Sequence, residues 1–263
     1  DSFVYTITDG DGDTDTATVT VNVATDSKPL AVGDVATVDE SDIPVIGSGL
    51  NPEDVGDAYS YTASGNLLSN DTVNSGVDLA TITSVEGQAA VSGVITVDTT
   101  AGILNVYTTD AAADAASTGQ VAGYYEYTLE AATADGSTDS ETFNYILTDG
   151  DTATTSNANL VISILDDEPV ANNDGTVQVA EDTAKTIDVQ VNDVEGADTV
   201  DWTDGTKVFV SSAATDGSVV YNDDGTFTYT PDDGFEGQDS FVYTITDGDG
   251  DTDTATVTVN VAT

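Results

Sequence analysis

Asp247, Asp249, Asp251 and Asp253 set a carboxylate at every second position of a short stretch, with Gly248 and Gly250 between the first three. Hard divalent cations take about six to eight oxygens at short range, and a tight turn of alternating acids supplies several of them at once. The spacing resembles the front half of a Ca2+ loop, although no bidentate Glu follows. A solvated acidic turn that only discourages aggregation is the simpler alternative. Asp9, Asp11, Asp13 and Asp15 repeat the arrangement, Asp9 matching Asp247.

That repetition is part of a larger one. Residues 1–25 and 239–263 are the same string, letter for letter. The copied piece reads as two strands joined by the acidic turn, so half a module is expected at each end. The expectation is one period, plus an overlap, of a longer tandem array in which each unit leans on its neighbours. Position 1 is Asp rather than Met, in keeping with an internal segment.

Composition narrows the chemistry. The 263 residues carry 49 acidic side chains against three lysines (Lys28, Lys185, Lys207) and no Arg, for a net charge of −46. Nucleic acid and anionic membrane are excluded as partners by like-charge repulsion. The absence of Cys and His removes disulfides, thiol chemistry, the commonest general base and the usual zinc ligand. Catalysis is therefore not expected, and no signal peptide or membrane span is read. With 38% hydrophobic residues, a folded core is expected wherever the carboxylates are neutralised.

The positioning elements are strands. Phe241, Tyr243 and Ile245 alternate with Val242, Thr244 and Thr246, and Ala255, Val257, Val259 and Val261 alternate with Thr256, Thr258 and Asn260. A period of two in β-branched and aromatic residues predicts half-buried strands. Further runs fall at 176–180, 186–191, 207–212, 218–222 and 226–230, punctuated by Asp204-Gly205, Asp216-Gly217 and Asp224-Gly225. This pattern predicts an all-β chain of tandem immunoglobulin-like, Greek-key sandwiches stacked end to end. Three segments follow: a hairpin of a preceding repeat at 1–25, one sandwich at 26–165, and a second at 166–263. The opening of the first, Pro29 to Asp34, parallels Pro169 to Asp174, and Asn70-Asp71 parallels Asn192-Asp193. The Ala-rich stretch 110–118 reads as a helical turn or a loop.

In such a sandwich the last turn sits at the pole where the chain enters, and the loop after the first strand sits at the opposite pole. Carboxylates are then predicted to converge where modules meet. At the central junction these are Asp166, Asp167 and Glu168 from the linker, Asp247, Asp249 and Asp251 from the last turn, and Asp39, Glu40 and Asp139 from the first sandwich. The preceding junction would draw on Asp1, Asp26, Asp149 and Asp151, with Asp9, Asp11 and Asp13 in the copied turn. Glu181, Asp182 and Asp239 would face the next repeat. The expected cofactor at these positions is Ca2+.

Tyr229, Thr230, Pro231, Phe235, Gly237, Asp239, Ser240, Phe241, Tyr243 and Asp247 form a pattern similar to that of bacterial cadherin-like and immunoglobulin-like tandem repeats, the extender regions of giant RTX-type adhesins. Glu181, Asp182, Thr183 and Val191, Asn192, Asp193 fit the same pattern, so the resemblance covers most of 168–263. The segment 26–165 matches less well, with two extra residues between Ser140 and Phe143 and fewer acids in its last turn. The resemblance implies export to the cell surface and calcium-rigidified spacing of a distal binding tip, whose ligand it does not identify. Neighbouring repeats are the implied partners. Two other readings compete. One is a matrix filament whose subunits join head to tail by strand complementation. The other is a glycan- or ice-binding module using Thr254, Thr256, Thr258 and Tyr124-Tyr125, with Trp202 in the core.

Overall fold

A computed structural model describes residues 1–22, 28–43, 60–72, 80–133, 139–149 and 155–263. Strands dominate them. In the first sandwich, β3 (Asp34–Asp39), β10 (Thr155–Leu165), β9 (Asp139–Thr148) and β5 (Thr81–Val85) form one sheet in that order. The facing sheet runs β4 (Thr62–Asn66), β8 (Tyr124–Leu129), β7 (Gly102–Tyr107), β6 (Val94–Asp98). In the second sandwich, β11 (Asp174–Ala180), β17 (Thr252–Ala262), β16 (Gly237–Thr246) and β13 (Phe209–Ser212) face β12 (Lys185–Asp188), β15 (Thr226–Pro231) and β14 (Gly217–Tyr221). The first strand of each unit pairs in parallel with its last, β3 with β10 and β11 with β17. Other neighbours are antiparallel, and in the second sandwich the chain changes sheet four times, between β11 and β12, β12 and β13, β13 and β14, and β15 and β16, as in an immunoglobulin-like Greek key.

Alternation along each strand decides which face is buried. Phe143, Tyr145 and Leu147 of β9 meet Leu160, Ile162 and Ile164 of β10 in one core. Phe241, Tyr243 and Ile245 of β16 meet Val257, Val259 and Val261 of β17 in a second. Fully burying each such side chain is worth about 1.5–3 kcal/mol. The second core centres on Phe227, whose ring lies 5.5 Å from both Phe241 and Tyr243. The Ala-rich stretch forms a helix, α1 (Asp110–Ala116), because the Thr109 side chain caps the backbone N–H of Ala112 and Ala113 packs into the interior. Among the described residues, no helix is long and apolar enough to cross a membrane.

The parallel openings seen in the sequence build matching polar knots. In the first sandwich the Tyr145 hydroxyl donates among Val32 O (2.8 Å) and Asp34 Oδ2 (3.0 Å), while Asp71 Oδ1 accepts from Val32 N–H at 2.6 Å. In the second, Tyr243 donates to Asp193 Oδ2 (2.8 Å), and Asp193 Oδ1 accepts from Asn172 N–H at 2.7 Å. Each knot ties the incoming linker to the loop after the second strand. Burial, reinforced by neighbouring carboxylates, pushes Asp34 and Asp193 up to about 6 and Asp174 up to about 7.

Residues 1–22 stand apart. β1 (Ser2–Thr8) and β2 (Thr14–Thr20) pair only with each other among the described residues, in the register that their copies adopt in β16 and β17. Both faces of this hairpin are open to solvent.

Two tests follow from the knots. Tyr243→Phe leaves Asp193 Oδ2 without its donor and is expected to cost about 1–3 kcal/mol in chemical denaturation. The raised carboxyls hold protons in the folded state that the unfolded chain releases above its ordinary value near 3.8. Their contribution to stability is therefore full below pH ~4 and lost as pH rises through 6–7. With chelator present, melting temperature is expected to fall between pH 5 and 8, and Asp174→Asn to recover roughly 3–8 °C at pH 8 but less at pH 5.

Candidate metal centre at the junction of the two sandwiches

Glu40 follows β3 at the far pole of the first sandwich, where its N–H donates to Leu165 O at 3.0 Å and its carbonyl accepts from Ile43. One carboxylate oxygen, Oε1, accepts from both the N–H (2.8 Å) and the hydroxyl (2.6 Å) of Thr133. The other, Oε2, is buried with no hydrogen-bond partner, although the residue is fully inaccessible to water. It faces the linker and the second sandwich.

The linker is held by Asp167, whose Oδ2 accepts from Ala197 N–H at 2.8 Å while Gly196, at φ +74°, packs beneath it. This presents the neighbouring Asp166 to Glu40. Asp198 arrives from the loop between β12 and β13, carried by the isolated bridge between Val200 and Asp247. Its backbone lies so close to the last turn that a Cβ on Gly248 would stand 2.6 Å from Asp198 O. That turn is shaped by Asp247, whose Oδ1 accepts from Gly250 N–H (2.9 Å) and Asp251 N–H (2.8 Å). Lys207 Nζ donates to the Asp247 carbonyl at 2.5 Å and braces the same turn.

Two overlapping carboxylate triplets result, each with one oxygen per residue within 4.8 Å of the others: Glu40, Asp166, Asp198 and Asp166, Asp249, Asp251. Both oxygens of Asp249, Oδ2 of Asp198 and Oδ2 of Asp247 are buried and unpartnered. At such separations a pair of charges repels by about 3–4 kcal/mol at an effective dielectric of about 20. Burial and this repulsion push Asp166 up to about 8, Asp198 to about 7 and Asp247 to about 6, and also raise Glu40. Asp166 and Asp251 lie in hydrogen-bond reach of each other, which two carboxylates satisfy only by sharing a proton or a cation. The donor set is all oxygen and anionic, the chemistry that Ca2+ favours and softer metals do not.

Of the residues expected here from sequence, Glu40, Asp166, Asp249 and Asp251 converge, with Asp247 adjacent and Asp167 as the tether. Asp39 instead caps Ser41 through its N–H (3.1 Å) and hydroxyl (2.7 Å). Asp139 sits exposed at the start of β9, and Glu168 is exposed in the linker. Sequence reasoning missed Asp198; the signal available was its place in a loop that a seven-strand sandwich puts at the same pole as the last turn.

The remaining candidates are dispersed. Asp9, Asp11 and Asp13 form an exposed triplet whose turn copies that of Asp247, with Asp9 Oδ1 accepting from Gly12 and Asp13 N–H groups. Asp1 is exposed and accepts from Ser2 N–H, and Asp149 is buried at the end of β9 in the position equivalent to Asp247. Asp26 and Asp151 lie outside the described residues. Glu181 repeats Glu40's backbone setting, its N–H donating to Ala262 O, and Asp182 accepts from Gly234 N–H. Asp239 does not face outward: its two oxygens accept from Thr215, Asp216 and Ser240 N–H groups and the Tyr229 hydroxyl. These donors hold it below the usual carboxylate range despite burial. Tyr124 and Tyr125, candidates for a sugar- or ice-binding face, are buried, and Trp202 is half-buried with Nε1 donating to Glu195 Oε1 at 2.6 Å.

No curated protein sequence matches the chain. Among solved structures it is similar to the titin domains z1z2 in complex with telethonin (13% identity, 91% of this chain, 98% of that chain, TM-score 0.37). It is also similar to mouse cadherin-23 EC22-24 (16%, 99% of this chain, 74% of that one, TM-score 0.32). Drosophila N-cadherin EC1-4 matches at 12% identity and TM-score 0.32 over 90% of this chain and 50% of that one, so the chain spans about half of that structure. Strand order and the family match, rather than these distant likenesses, carry the fold. Residues 166–260, nearly the whole second sandwich, match the family model described as bacterial Ig domain.

Proposed function

We propose that this chain is a structural segment of an extracellular bacterial surface array, in which Ca2+ locks one sandwich to the next through the Glu40–Asp166–Asp198–Asp249–Asp251 junction. The observation that carries the reading is Glu40. A fully buried carboxylate oxygen with no donor, contributed by one sandwich and aimed at acids of the linker and the next, is costly unless a cation completes it. Asp166, shared by both triplets, is the natural bridging ligand between two ions.

The role follows from where the site lies. A cation held by residues of both sandwiches resists bending at the linker, so the segment acts as a spacer rather than as a catalyst. In a surface adhesin of the RTX type, such spacers hold a distal binding tip away from the cell, and the neighbours of each unit are further repeats. The bacterial Ig match over 166–260 supports this setting.

Calorimetric titration with CaCl2 after EGTA treatment tests it. Saturable binding is expected, with a melting temperature that rises in millimolar Ca2+ and a narrower spread of dimensions in small-angle scattering. At 100-fold excess over the dissociation constant, one ion adds about 2.7 kcal/mol. Glu40→Gln is expected to raise stability in EGTA, by removing an unpaired buried charge, yet to weaken Ca2+ binding at least about tenfold. Absence of both heat and any melting shift between EGTA and millimolar Ca2+ would sink the proposal.

A further inference from the structure

The hairpin β1–β2 presents an apolar face whose covering can be read from its own copy. Phe3, Tyr5 and Ile7 are 57%, 47% and 62% exposed, whereas the identical residues Phe241, Tyr243 and Ile245 are 1%, 0% and 0% exposed. Val19 and Val21 are likewise exposed where Val257 and Val259 are fully buried. Backbone register is the same in both copies: Phe3 opposite Val19 and Tyr5 opposite Ala17, as Phe241 is opposite Val257 and Tyr243 opposite Ala255. The difference therefore lies in what surrounds the hairpin. Around the second copy, β11 pairs with the β17 edge, β13 pairs with the β16 edge, and β12 and β15 cover the apolar face through Ile187, Phe227 and Tyr229. Around the first, both edges and that face are open among the described residues.

We infer that β1–β2 is a docking element for an immunoglobulin half-module with the strand set of β11–β15. A second copy of this chain is the weaker occupant, because its own residues 166–238 are already covered by 239–262. The required partner is specific. It must offer one strand parallel to β2, one antiparallel to β1, an aromatic to meet Phe3 and Tyr5, and a carboxylate to accept from the Tyr5 hydroxyl, as Asp193 does for Tyr243. This inference uses no junction carboxylate and stands independently of the cation reading.

The chain has no cysteine, so Ile7→Cys creates a single thiol whose alkylation rate reports burial. In the 263-residue chain, with EGTA present, that thiol is expected to react at the rate of an unfolded peptide. Fusing a second copy of residues 166–238 ahead of Asp1 is expected to slow it about 100-fold or more, to the rate of Ile245→Cys in the unextended chain. Amide exchange of the hairpin in the otherwise unsubstituted fusion supplies a readout free of the core substitution, and the same slowing is expected. An unchanged thiol rate together with unprotected amides in the fusion would overturn the proposal. Protection already present in the unextended chain, lost on dilution and accompanied by a dimer mass, would assign the face to a second copy and overturn the stated occupant.

Discussion

Repulsion among carboxylates withdrawn from water governs this molecule, because the chain has 49 acids, three lysines and no arginine with which to answer it. Local donors solve the problem at some buried acids. Asp239 takes three backbone N–H groups and a tyrosine hydroxyl, and Asp193 takes a backbone N–H and Tyr243. Such acids are anchors, and the strands depend on them for their loops. At the junction the same economy is missing. Glu40 has one satisfied oxygen and one bare oxygen, and Asp249 has two bare ones. Asp71 and Asp174 in the polar knots each keep one bare oxygen as well, so what sets the junction apart is the convergence of such oxygens from both sandwiches.

Much of the scaffold was legible because its cause is local. Alternation at Phe241, Tyr243 and Ile245 states both the strand and its buried face, and the Asp-Gly punctuation states where strands turn. The copied hairpin could be paired in register from sequence alone. Even so, the run 186–191 is strand only to Asp188, and Val191 ends exposed, since β15 begins at Thr226, opposite Asp188, and offers β12 no strand partner beyond it.

The site was legible in part, for a different reason. Glu40, Asp166, Asp249 and Asp251 could be placed by asking which loops share a pole. The same question puts the loop carrying Asp198 at that pole, but which residue of the loop reaches the site is set by a close backbone contact over Gly248 that has no period and no motif. Asp239 was misread as outward-facing because its donors come from residues 215, 216 and 229, a constellation only the folded loops create. The buried Tyr124-Tyr125 pair shows the same limit: Tyr124 stacks on Tyr107 with ring centroids 5.7 Å apart, and Tyr125 joins the core between the sheets.

The parallel pairing of first and last strands has a mechanical consequence. β11 and β17 run side by side in the same direction, joined over Asp174–Ala180 and Val257–Ala262. Tension applied where the chain enters and leaves the second sandwich pulls these two strands along their length in opposite senses. The rungs between them then share the load together, in shear, instead of parting one after another like a zipper. A unit wired in this way yields late under stretching.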